Sequence, residues 1–354
     1  MRKDLLSLAF ISYSFIAGAQ ITIDENDMPV VGEPYGVVQT AGIEIEDPAG
    51  LAGEDVFWDY SDLNEGLAET ETYLSVSDVP IQFQFVFNNP FSESYSNLAL
   101  PVANFTDGLG IPVSDAHNFF RADEDGYFDC GYAASFSELP IFGERNPTDR
   151  ILKFPLEYGM APDANDSFFE INIPQFANYK SYQTRENSVD GWGVVETPAG
   201  VYDALRVRSV VNGIDSIYSE TLQIDQAIVQ PETIEYRWLA PEQGLPVLQI
   251  NTVDGMVTQV RYQTDEVDTA IPEFVAEEIA VFPNPAIEQF NAVIPTSVYA
   301  ERVVLVDLNG RLIDVDYTQT GNEVQVNSSN VNAGLYRVFI YSEKRNWGGW
   351  VVIR

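Results

Sequence analysis

One cysteine and one histidine stand in 354 residues. The lone Cys130 excludes an intramolecular disulfide framework and a cysteine-based zinc site. The lone His117 excludes any metal site that needs two imidazoles. Positive charge is scarce: 18 Lys and Arg face 54 Asp and Glu, for a net charge of −36. Such a surface repels nucleic-acid phosphates, so no nucleic-acid partner is expected. A Gly-x-Ser-x-Gly elbow, a phosphate-binding glycine loop and a dinucleotide fingerprint are all missing. No apolar run is long enough for a comfortable membrane span.

The first segment reads as a secretory signal peptide over residues 1–19. Arg2 and Lys3 form a basic start, Leu5 to Ala17 is mostly apolar, and Ala17-Gly18-Ala19 fits the small-x-small site of signal peptidase. Gln20 is then the first mature residue. Ala17, Ala19 and Gln20 are the cleavage-site residues.

Helical periodicity is hard to find after that point, and alternation is easy to find. Ile81, Phe83, Phe85 and Phe87 alternate with glutamines and predict a half-buried strand. Ile151 to Leu156, Phe168 to Ile173 and Leu205 to Val211 also read as strands. Pro198-Ala199-Gly200 and Asp254-Gly255 read as turns between them. Ala161 to Asp166 reads as a turn-rich stretch. With 20 Pro and 24 Gly, the pattern predicts an all-β chain: a large antiparallel sandwich or curved sheet, then a smaller unit. The large region covers residues 20–266, with a subdivision near residue 185. An acidic linker covers 267–278, and the small unit covers 279–354. Charge changes at this boundary. Residues 20–274 hold 44 acids and 10 bases, whereas 275–354 hold 9 acids and 6 bases.

The tail carries an ordered set of short motifs. Val281-Phe282-Pro283-Asn284-Pro285 opens it, with the two prolines expected to hold the chain extended. Asp307-Leu308-Asn309-Gly310-Arg311 follows an apolar strand. Ala333-Gly334-Leu335-Tyr336 begins another, and Trp350 to Arg354 closes the chain. In this order the residues Pro283, Asn284, Pro285, Asp307, Gly310, Arg311, Gly334 and Tyr336 resemble the type A C-terminal sorting domain of the Bacteroidetes type IX secretion system. The terminal stretch Asn346-Trp347-Gly348-Gly349-Trp350 departs from the family's usual Lys-rich turn. The resemblance implies a small seven-stranded β-sandwich, with strands near Ile279, Gln289, Val303, Leu312, Val324, Tyr336 and Trp350. It also implies transit through the periplasm to the outer surface or medium, and two partners: the secretion machinery and a sortase-like protease that can join the new end to lipopolysaccharide.

Chemistry in residues 20–266 is weakly marked. Cofactors are not expected, with calcium the one candidate. Asp123, Asp125 and Asp129, with Gly126 at the bend, match the middle of a calcium loop, although Arg121 stands where the first ligand belongs. A plain hairpin turn explains the same residues. His117 and Cys130 read as structural, since Cys130 has no basic neighbour to activate it. Trp58, Trp192 and Trp238 are candidate sugar platforms, core packing being the plainer reading. The sequence therefore suggests a non-enzymatic surface protein that binds glycans or mediates adhesion. The alternative is a secreted polymer-degrading enzyme with paired carboxylates.

Overall fold

The computed structural model describes residues 21–40, 45, 47–63, 66–102, 113–137, 139–174, 176–220, 224–265, 277–295, 299–300, 302–307, 312–342 and 346–354. The signal-peptide residues Ala17, Ala19 and Gln20, the turn residues Gly310 and Arg311, and most of the linker lie outside the described residues. Strands dominate, and the one α-helix among the described residues is Ile81–Phe87. The chain is all-β.

Among the described residues, fourteen strands between Pro34 and Thr264 form one sheet. Its spine is an antiparallel series: Leu139–Lys153, Asp163–Ile173, Ala177–Thr197, Gly200–Ser219, Ile224–Leu239, Leu248–Val253 and Met256–Thr264. Pro198-Ala199 and Asp254-Gly255 are two-residue turns within it, as their sequences suggest. The sheet is continuous where a subdivision was expected, because Arg185 lies inside the strand Ala177–Thr197. That strand has 21 residues, a reach of about 70 Å.

The strand order begins with Leu67–Thr72 and ends with Leu74–Ser75, and only Tyr73 separates these two in sequence. The sheet must therefore curl until its edges approach one another. Aromatic rings fill that seam. Tyr73 is buried, with its ring 6.3 Å from Tyr35 and 6.1 Å from Phe120, and Phe120 stacks on Tyr127 at 5.5 Å. Val37, Leu98, Leu152, Val189 and Val207 join the same cluster.

One strand of this sheet runs parallel among the described residues. Gly53–Asp59 pairs with the Gly191–Glu196 part of the long strand. Glycine is required there: a Cβ on Gly193 would sit 1.9 Å from the Val56 carbonyl oxygen. Beneath this strand Arg206 is fully buried among aromatics, 5.8 Å from the Trp58 ring, 5.2 Å from Tyr236 and 5.7 Å from Trp238. Its guanidinium donates to Asp190 at 2.8 and 3.0 Å and to the Pro48 carbonyl at 2.7 Å. Burying this cation is tolerable because donors of the fork have acceptors.

The predicted strand at Ile81–Phe87 is a helix. Phe83 and Phe87 are buried, one helical turn apart, and Phe87 stacks on Phe119 at 3.9 Å. Ile81 and Phe85 face solvent. Alternation placed all four on one side, but only the i, i+4 pair is core.

Residues 277–353 pair only among themselves in the described strands, in two sheets. One holds Glu277–Glu278, Asn346–Ile353, Gly334–Tyr341, Arg302–Asp307 and Leu312–Asp314. The other holds Val281–Phe282, Gln289–Val293, Glu323–Asn327 and Tyr317–Thr320. Phe290, Val324 and Val326 from the second sheet share one core with Leu305, Val338 and Val351 from the first, which makes a sandwich. Among the described residues nine strands stand where seven were expected, for two reasons. The strand expected near Ile279 divides between the sheets, and Tyr317–Thr320 carries too little apolar sequence to announce itself. Pairing starts at Glu277, inside the segment assigned to the linker.

Candidate functional site

The Pro283-Asn284-Pro285 run, Gly334 and Tyr336 lie against the last strand. After Phe282 the chain bends through Pro283, Asn284 and Pro285 rather than staying extended. Both prolines lack an N–H, so this segment cannot form an ordinary ladder with its backbone. The Asn284 side chain takes that role. Its Nδ2 donates to the Trp350 carbonyl at 2.9 Å, and its Oδ1 accepts from the Val352 N–H at 2.9 Å. The backbone resumes one step on: Ala286 N–H donates to Val352 O at 2.7 Å, and Arg354 N–H donates to Ala286 O at 2.9 Å. The Pro-Asn-Pro run is thus a clamp on the terminal strand. Gly334 pairs with Ile353 at the same end of that strand. The Tyr336 ring covers Gly334, where an added Cβ would lie 3.1 Å from the ring, and the Tyr336 hydroxyl donates to Asn332 O at 2.9 Å. Asp307 ends its strand opposite Tyr336. The unusual Gly348-Gly349 pair has a local cause as well: a Cβ on Gly349 would meet Ile279 O at 2.7 Å.

In the large sheet, the register sorts side chains onto two faces. The inner face carries a buried ionic network. Asp149 accepts from Arg185 at 2.9 and 3.0 Å and from Gln183 at 2.8 Å. Glu235 accepts from Arg185 at 2.5 Å and pairs with Arg237 at 2.8 Å. Burial alone would raise the Glu235 carboxyl, but the two guanidiniums outweigh it and hold the group at about 2. A carboxylate pinned in this way is a poor proton donor, so Glu235 is not suited to be the acid of a catalytic carboxylate pair.

The outer face carries a different arrangement. Phe168 is opposite Tyr182, Tyr182 is opposite Ile214, and Ile214 is opposite Val229. This makes one apolar row across four adjacent strands. Tyr182 and Ile214 are each 45% exposed and Val229 is 75% exposed. Beside the row lies an open depression of about 340 Å³, lined by Ala164, Asp166, Tyr182, Thr184, Glu186 and Asn212 among others. Sequence reading passed over it because Ala164 and Asp166 stood in a stretch taken for a turn. The strand in fact starts at Asp163.

The other candidates have plainer places. Asp123 and Gly126 flank a two-residue hairpin turn, with Asp125 N–H donating to the Asp123 carboxylate at 3.0 Å. Asp123 also pairs with Arg121, and Asp129 with Arg145 at 2.8 Å. Among the described residues no three acids or imidazoles gather as metal ligands. His117 Nδ1 bonds the Asp115 carbonyl at 2.7 Å, and its ring lies 6.1 Å from Phe83. Burial pushes the Cys130 thiol up to about 12. Trp58 and Trp238 are fully buried and Trp192 packs on the core, so none is an exposed platform.

No curated protein matches the chain. A solved polysaccharide lyase is similar over 93% of this chain and 40% of its own, at 10% identity and a TM-score of 0.16. The chain thus spans about two fifths of that structure, and a likeness so slight says nothing about fold or activity. Residues 280–354 match the family described as the secretion system C-terminal sorting domain. The clamp, the Gly-x-Tyr strand and the terminal strand all lie inside that span, and residues 280–354 of this chain are a secretion system C-terminal sorting domain.

Proposed function

We propose that the large sheet is the cargo of this sorting domain, a secreted or surface-held module that binds saccharides on its outer face around Tyr182. The carrying observation is the apolar row beside the depression. A sugar ring needs a flat apolar surface for its C–H face and hydrogen-bonding groups for its hydroxyls. Tyr182 supplies the first, and Thr184, Asn212, Asp166 and Glu186 supply the second. The signal peptide and the sorting domain together support a route through the periplasm, with the secretion machinery and a sortase-like protease as partners. Lipopolysaccharide attachment belongs to the same reading.

The test is affinity electrophoresis of the full chain in gels containing neutral and charged polysaccharides. At least one polysaccharide should retard the protein, and Tyr182→Ala should weaken that binding about fivefold, since stacking on one aromatic contributes on the order of 1 kcal/mol. Retardation by none, or retardation unchanged in Tyr182→Ala, would sink the proposal.

One observation favours the enzymatic alternative. Asp166 and Glu186 are diagonal neighbours on this face, since Asp166 pairs with Thr184. Their spacing is then about 7–8 Å, within reach of an inverting hydrolase. Mass spectrometry of the bound saccharide separates the two readings: a binder returns it intact, whereas shortened products that vanish in Glu186→Gln mark hydrolysis.

A further inference from the structure

Resting on the saccharide reading above, we propose that the depression beside Tyr182 selects amine-bearing saccharides and turns away uronate or sulfated ones. The independent observations are the charges on the face and the exposed ring. Asp166 and Glu186 both line the depression. The one guanidinium bordering it, Arg185, is committed to Asp149 and Glu235 on the opposite face. In the next row along, Lys180 pairs with Glu170 at 3.2 Å. Arg208 lies one row beyond Glu186, opposite Ser188, where it interacts with Tyr236. An incoming anion thus meets two carboxylates and no free cation in the depression itself.

A protonated amine meets the reverse. Two carboxylates face it across one diagonal, and the Tyr182 ring offers its electron-rich face within the same depression. Asn212 Nδ2 leans toward Glu232 at 3.5 Å, which adds a third acid beside the rim. The field of the whole chain acts in the same direction, because residues 20–274 carry 44 acids against 10 bases. Such a field raises the local concentration of cations and the rate of their capture. A polyanion would have to be bound against it, with the penalty largest at low salt.

The experiment compares three oligosaccharides of equal length on the full chain by calorimetry: a glucosamine oligomer, a neutral glucose oligomer and a galacturonate oligomer. At low ionic strength the glucosamine oligomer should bind about tenfold more tightly than the neutral one, and the galacturonate oligomer should show no binding. Raising salt to 0.5 M should shrink the glucosamine advantage to about twofold. Asp166→Asn with Glu186→Gln should abolish the advantage, so that within this variant the glucosamine and neutral oligomers bind equally. Equal binding of glucosamine and neutral oligomers overturns the charge selectivity but leaves the saccharide site standing. Tighter binding of galacturonate overturns the selectivity outright. Tightness for glucosamine that is unchanged in the double variant also overturns it, by assigning the attraction to the general surface charge. Binding of none of the three counts against the saccharide site itself.

Discussion

Glu235 shows how a single residue of this fold is held. Its carboxyl lies at about 2 rather than near 4.5 because Arg185 and Arg237 flank it. A carboxylate with a lowered value stabilises the fold above its ordinary value. That contribution is lost as pH falls from about 4.5 toward about 2. Glu235→Gln should therefore destabilise the chain by about 3 kcal/mol at neutral pH, since it leaves two buried guanidiniums short of an anion. Urea titrations across pH should show the difference from the parent shrinking below about pH 4. A constant difference down to pH 2 would contradict the assignment. Asn284 is a second such residue. Replacing it with Ala removes both side-chain bonds to the terminal strand, a loss of about 1–3 kcal/mol. Hydrogen exchange in the full chain should then quicken at the Val352 amide, and Asn284→Asp should keep part of that protection, because a carboxylate still accepts from the Val352 N–H although it cannot donate to the Trp350 carbonyl. Unchanged protection of Val352 would show that the clamp is dispensable. The Pro-Asn-Pro run was visible in the sequence, but its reason was not, since the partner lies 66 residues away.

At the scale of elements, local signals worked where one face was apolar and the other polar. The hairpin at Asp254-Gly255 and the strand around Leu205 and Val207 were legible for that reason. Ile81–Phe87 was not, because seven residues are too few to separate a period of 2 from one of 3.6 when five are apolar. The outer half of the long strands was missed from the opposite cause. Lys180, Tyr182 and Thr184 alternate with Ser181 and Gln183, so neither face reads as core. The candidate site lies on those strands. Its apolar row exists only through the register of four strands, and no window on one strand contains it.

At the scale of the whole molecule, two β units with different surfaces stand in one chain. The large sheet carries most of the net negative charge, and the sandwich that follows carries a net of −3 over residues 275–354. The tail was legible because its motifs, such as Pro283-Asn284-Pro285 and Gly334-Leu335-Tyr336, are each short and local in sequence. The cargo's chemistry was not, because it depends on a surface assembled from distant strands. The central claim is that residues 280–354 export what precedes them. It is tested most directly by fractionating cells that make the full chain or a chain ending at Asp265, just before pairing of the sandwich begins at Glu277. The full chain should appear on the surface or in the medium, and the shortened chain should stay in the periplasm as folded protein. Normal amounts of the shortened chain outside the cell would contradict the account.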